Sequence, residues 1–117
     1  MTALTVQEIF RKVALGIEQK PEKVREVDSV FLFKISGPQG GVFHLDLKNH
    51  PGVSFEEKPA EVVLEMRDKD FIKLYNGTLP GFKAVLCGKL KIRGELALAT
   101  RLSEVFFAAK SNEAETK

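Results

Sequence analysis

Apolar and polar positions follow two different periods along this chain, and each change of period marks a new element. From Thr5 to Lys20 the residues Val6, Ile9, Phe10, Val13 and Ile17 recur at three- and four-residue spacings, which places them on one face of a helix. Thr5 with Glu8 three residues later is a capping-box pattern, and Pro21 stops the run. The stripe reads as packing on a sheet; docking on a membrane would need part of it exposed.

Strand patterns follow. Asp28 to Ser36 is almost continuously apolar through Val30, Phe31, Leu32, Phe33 and Ile35, which predicts a strand covered on both faces. After the turn Gly37-Pro38-Gln39-Gly40-Gly41, the run from Val42 to Leu47 alternates Phe43, Leu45 and Leu47 with His44 and Asp46, a strand with one wet face. Further strands are expected from Val53 to Glu57 and from Ala60 to Met66, where Val62, Leu64 and Met66 alternate with Glu61 and Glu65. Four strands on short turns predict an antiparallel meander.

Helical spacing returns after Asp68, which reads as a cap for a helix carrying Phe71, Ile72, Leu74 and Tyr75 and ended by Gly77. A bend at Thr78-Leu79-Pro80-Gly81 leads to a short helix, Phe82 to Cys87, stopped by Gly88. Leu90 and Ile92 then alternate with Lys89, Lys91 and Arg93 as a fifth strand, and Gly94 supplies the corner after it. Beyond the corner Leu98, Leu102, Val105 and Phe106, widened by Leu96 and Ala99, form the stripe of a last helix. These elements predict an α/β fold of the α+β type: a five-stranded, mostly antiparallel sheet with helices packed on one face. One domain is expected over residues 1–110, with a flexible tail at 111–117.

Composition narrows the function by exclusion. The chain has 117 residues, enough for a single core or for a core with room for a ligand. Its formal net charge of +2 is not the footprint of a nucleic-acid binder. A lone cysteine, Cys87, permits no internal disulfide; it ends an apolar helix and is expected to be buried there. His44 and His50 have no metal-site spacing with Cys87, and there is no Gly-x-Ser-x-Gly elbow. Glu56 and Glu57 are expected to point to opposite faces of a strand, and Glu61 and Glu65 to line a solvated one. No catalytic constellation, cofactor or metal is therefore expected. No run approaches the length of a membrane span, and the start lacks the apolar core of a signal peptide.

What remains is an excess of apolar residues. There are nine Phe and no Trp, and Phe71, Leu74, Leu79, Phe82, Val85, Leu86, Leu98, Leu102, Phe106 and Phe107 gather in the last third of the chain. They either fill a core or wall an apolar cavity between helices and sheet. Lys89, Lys91 and Arg93 form a basic strand edge, which is either a solvated, edge-protecting face or a contact for lipid headgroups.

The stretch Gly88 to Leu102, GKLKIRGELALATRL, resembles the signature of the sterol carrier protein 2 family. The preceding run DFIKLYNGTLPGFKAVLCGKL, from Asp70 to Leu90, resembles the same family's pattern of Asp-Phe, Leu, Gly and a small helix before Gly-Lys-Leu. The resemblance implies a non-enzymatic lipid-binding or transfer protein with an apolar tunnel. Its implied ligands are fatty acids, fatty acyl-CoA, phospholipids and sterols. The wall residues it implies are Phe71, Leu74, Phe82, Leu86, Leu98, Leu102 and Phe106. Phe33, Ile35 and Phe43 are expected to form the sheet floor beneath them, on the strand pattern alone. The end Glu115-Thr116-Lys117 differs from the peroxisomal Ser-Lys-Leu address of many eukaryotic members, which leads to an expected cytoplasmic setting. A transient membrane-surface contact and a monomer or weak homodimer complete the expectation. The alternative is a ligand-free interaction or dimerisation module accessory to a lipid-metabolising enzyme, since domains of this family also occur fused to enzymes.

Overall fold

The computed structural model describes residues 5–102 together with 105 and 106; the expected tail at 111–117, and Phe107, lie outside them. Helix α1 runs Val6–Gln19 and begins as its sequence dictates. The Glu8 N–H donates to Thr5 Oγ1 at 3.1 Å, and the Thr5 N–H donates to Glu8 Oε1 at 3.1 Å, so two otherwise orphaned donors are satisfied reciprocally. Val6, Ile9, Phe10, Val13 and Ile17 are all buried. The stripe is thus spent on the interior, while Leu15 of the same helix stays exposed. Pro21 ends α1 and also opens a second short helix, α2, Pro21–Arg25. Proline suits a first helical position because the N–H it lacks has no partner there.

The strands are β1, Val30–Ser36; β2, Gly41–Asp46; β3, Gly52–Ser54; β4, Val62–Arg67; and β5, Leu90–Gly94. Their order across the sheet is β3-β2-β1-β4-β5. The expected meander is corrected here. After β3 the chain does not continue outward but crosses back, and β4 pairs parallel with β1, Phe31 opposite Val62 and Phe33 opposite Leu64. The other three pairings are antiparallel. This makes β1 the central strand and explains its near-continuous apolar run.

In the crossing segment, 55–61, Phe55 stays on the helix side, and residues 57–61 cover the face of the sheet turned away from the helices. Pro59 C=O lies 3.1 Å from His44 Nε2, and Glu57 Oε2 lies 3.8 Å from Lys34 Nζ. At its end the Glu61 N–H donates to Val30 C=O at 3.0 Å. Val30, Leu32 and His44 are buried under it. His44, expected on a wet face, is therefore inside, and Glu56 and Glu57 lie in the crossing rather than in a strand. Glu65 forms an ion pair with Arg93 at 3.5 Å instead of facing a second carboxylate.

The opposite face carries Phe31, Phe33 and Ile35 of β1 with Phe43 and Leu45 of β2 and Val62, Leu64 and Met66 of β4, brought side by side by the register. Against it lie α1, α3 (Asp68–Asn76), α5 (Leu96–Thr100), and Leu102, Val105 and Phe106 beyond it. Asp68 is the first residue of α3, not its cap, which is Arg67. Its buried carboxylate accepts the Gln39 N–H at 3.0 Å and the Lys69 N–H at 2.8 Å. The Gln39 side chain in turn accepts the Val6 N–H at 3.0 Å. One glutamine thereby ties the β1–β2 turn to the starts of both α1 and α3. Gly94 makes the corner with φ +113°, and a Cβ there would collide with the Glu61 carbonyl oxygen.

Candidate lipid site

The space between the helices and the sheet is filled by aromatic rings. Phe10 of α1 stacks on Phe43 with centroids 4.3 Å apart and on Phe71 at 5.0 Å, and meets Phe33 edge-on at 5.2 Å. Phe71 also meets Phe33 at 5.7 Å and Phe106 at 5.9 Å, both edge-on, and Phe106 meets Tyr75 at 5.6 Å. Contributions from three helical segments and two strands thus converge on Phe10 and Phe71. The rings touch one another, so an alkyl chain enters this layer only by parting them.

Eight of the ten residues expected at the site belong to this layer or pack against it. Phe33, Ile35 and Phe43 lie on the sheet floor, Phe71 and Leu102 are buried above it, and Leu74, Leu98 and Phe106 are half-buried at its margin. Phe82 and Leu86 do not join them: they stand 73% and 80% exposed. The reason is the brevity of α4, Gly81–Leu86, held between Pro80 and Gly88, where Ala84 is the buried residue. Cys87, expected inside, is exposed for the same reason. Phe10 was not among the expected site residues, although it occupies the centre of the layer. Its signal was the α1 stripe, which marks it as inward-facing but cannot say which rings it meets.

From solvent, the layer is approached through an open groove between α1 and β3, of about 460 Å³. Gln7, Phe10, Arg11, Ala14, Val53 and Phe55 line it. Phe55 is 66% exposed and meets Phe43 edge-on at 5.6 Å. Phe10 and Phe43 therefore connect the floor of the groove to the buried rings. A second groove, about 750 Å³, lies at the far end of β1 and β4. Half of its lining residues are cationic, Lys34, Arg67, Lys69, Lys73, Lys89 and Lys91, against the two carboxylates of Glu65 and Asp70.

The titrating carboxylates serve the backbone. Hydrogen bonding from the Gln39 N–H, reinforced by that of Lys69, holds the Asp68 carboxyl below the usual aspartate range against the opposing effect of burial. Burial raises Asp46, but the N–H groups of Lys48, Asn49 and His50 outweigh it and hold that carboxyl low as well. Among the described residues no cluster of His, Cys, Asp and Glu is arranged to hold a metal ion, and no helix is long and apolar enough to cross a membrane.

Comparison with known proteins gives this arrangement a context. The model of the SCP-2 sterol transfer family matches residues 8–107. Hydroxysteroid dehydrogenase-like protein 2 of Danio rerio is 37% identical over 109 residues, which is 91% of this chain and 26% of that protein. The chain thus spans about a quarter of that relative's length. Sterol carrier protein 2 of Yarrowia lipolytica in its apo form superposes with a TM-score of 0.76 over 87% of this chain and 89% of the other, at 23% identity. Sterol carrier protein 2 of Aedes aegypti, solved in complex with a C16 fatty acid, gives a TM-score of 0.74 at 26% identity, covering 92% of this chain and 98% of the other.

Proposed function

The chain belongs to the SCP-2 sterol transfer family, a family of lipid-binding and transfer modules rather than catalysts, and from that premise we propose that it holds a single fatty acyl chain within its aromatic layer. The observation that carries the proposal is the continuous apolar path from Phe55 and Phe10 at the α1–β3 groove to Phe71 and Phe106 inside. The Aedes aegypti relative with its C16 fatty acid supports a linear alkyl chain as the occupant. Fatty acyl-CoA and phospholipids present the same alkyl portion, and a sterol would need a wider parting of the rings.

Magnitudes support such binding without a specific polar contact. Each buried methylene contributes about 0.8 kcal/mol, so a 16-carbon chain supplies on the order of 12 kcal/mol gross. Association, chain ordering and separation of the rings cost several kcal/mol of that. An affinity near micromolar survives. Selectivity between neighbouring chain lengths is weak, because one methylene is worth only about 1 kcal/mol.

Native mass spectrometry of the purified protein, before and after addition of palmitate, tests the reading. A one-to-one adduct is expected, and a protein that stays bare at palmitate concentrations far above micromolar would overturn it. A second reading, a ligand-free module accessory to a lipid-metabolising enzyme, draws support from the much greater length of the hydroxysteroid dehydrogenase-like relative. A bare dimer in the same spectra favours that reading.

A further inference from the structure

Helix α1 lines the groove beside β3 with Gln7, Phe10, Arg11 and Ala14, spaced three and four residues apart along one side of the helix. Val53 of β3, and Phe55 just beyond that strand, line the opposite bank. Gln7 and Arg11 are the polar side chains of this lining, and no carboxylate belongs to it.

The Arg11 guanidinium has neither an ion pair nor a hydrogen bond among the described residues. The acids closest to it in the chain and beside Phe55 are engaged elsewhere. Glu8 Oε1 accepts the Thr5 N–H at 3.1 Å and the Thr5 hydroxyl at 2.9 Å. Glu56 pairs with Lys58 at 3.7 Å, and Glu57 with Lys34 at 3.8 Å. A guanidinium without a partner beside an apolar floor complements an amphiphile with an anionic head. Its fork donates two parallel N–H bonds to a carboxylate, while the floor takes the first methylenes. Arg11 follows Phe10 directly, and Phe10 stacks on Phe43 and Phe71 of the ring layer. A carboxylate held at Arg11 therefore lies beside the place where an alkyl chain would pass between the rings.

We propose that Arg11, assisted by the Gln7 amide, holds the carboxylate of a free fatty acid at the mouth of the aromatic layer. The acid then enters methyl end first and is preferred over a neutral lipid of the same chain length. The proposal rests on the carrier reading and adds to it a direction and a head-group preference. The placement suits an anion joined directly to the alkyl chain; in an acyl-CoA the first phosphate stands a long linker away from the acyl carbons. The larger groove at the far end of β1 and β4 offers more positive charge, but its lining includes Glu65 and Asp70 and no ring of the layer.

The test is isothermal titration calorimetry of the whole chain with laurate and with dodecanol, at a pH where the acid is ionised. Equal chain lengths bury the same alkyl surface, so the difference between the two isolates the head. Laurate should bind about fivefold more tightly, the scale of a partly exposed charge-assisted contact, and that advantage should shrink in high salt. Arg11→Met keeps an apolar stem without the charge. It should bring laurate down to the dodecanol value and leave dodecanol unchanged. Arg11→Lys should recover part of the preference, because it restores the charge but not the fork. Arg11 is exposed, so both variants should melt at the parent's temperature. Equal affinity of the parent for the two ligands would overturn the proposal and leave the carrier reading standing. So would a preference that survives Arg11→Met, or a loss of both ligands alike in that variant, which would make Arg11 merely structural. A parent that binds neither ligand would overturn the carrier reading and this proposal together.

Discussion

Substitution of Phe71 by leucine separates two roles of the aromatic layer, because stability and lipid binding should move in opposite directions. Phe71 is fully buried and meets the rings of Phe10, Phe33 and Phe106 at 5.0, 5.7 and 5.9 Å. Leucine keeps most of the apolar contact and loses all three ring pairs. Such pairs contribute about 0.5–1.5 kcal/mol each beyond area burial. Three that share one ring are not additive, so the expected loss is about 2 kcal/mol. For a domain of this size that lowers the melting temperature by roughly 6–10 °C. Lipid entry, however, must undo the same ring packing. A ligand present at one hundred times its dissociation constant stabilises the folded state by about 2.7 kcal/mol. With less packing to undo, the palmitate increment in Phe71→Leu should exceed the parent's by on the order of 1 kcal/mol, or about fivefold in affinity. Urea unfolding followed by far-UV circular dichroism, with and without palmitate, measures both quantities. A palmitate increment smaller than the parent's would refute the reasoning, since it would make Phe71 a fixed wall and not a ring that moves. Unchanged stability would refute the premise that the ring layer holds α3 on the sheet.

Three other substitutions probe the frame. Gly94→Ala should cost about 2–4 kcal/mol in urea unfolding, because alanine meets both an unfavourable positive φ and the Glu61 carbonyl; a loss below about 1 kcal/mol would contradict the corner geometry. The Asp68 carboxyl is held below its ordinary value of 3.8, so its stabilising effect is fully present above that value and is lost as the pH falls through the lowered native one. Asp68→Asn should therefore be less stable than the parent at neutral pH and should show a shallower decline on acidification below pH ~4, and parallel acid profiles would refute this. Thr5→Ala removes the capping box of α1 and should cost about 1 kcal/mol, read from the same unfolding curves.

Local signals in the sequence were reliable where a short-range rule decides the structure. The Thr5–Glu8 box starts α1, Gly77 ends α3 at φ +82°, and Gly94 makes the corner after β5. The apolar run of β1 foretold burial on both faces. Strand partners were not legible in the same way. Alternation in Val62, Leu64 and Met66 gives a strand with an inner face, but the same alternation suits β3 or β1 as neighbour. The crossing at 55–61 decided it, and its Pro59 and charged residues carry no tight-turn signature. His44 was misplaced as a consequence, since its cover comes from that crossing. The resemblance marked Phe71, Leu74, Leu98, Leu102 and Phe106, which the fold brings to one layer, together with Phe82 and Leu86, which stand exposed on α4. A helix as short as α4 can bury one small residue, Ala84, and direct its larger ones outward. Phe10 was missed because its role depends on ring partners from α3, β1 and β2, which no stretch of α1 encodes.

Isotope-filtered nuclear Overhauser spectroscopy on the protein loaded with uniformly labelled palmitate addresses the acyl chain most directly. Contacts from the chain methylenes to the ring protons of Phe10, Phe43 and Phe71 are expected, with contacts to Phe55 nearer one end of the chain. Methylene contacts confined to Phe82, Val85 and Leu86 on α4, with none to the buried rings, would contradict the account.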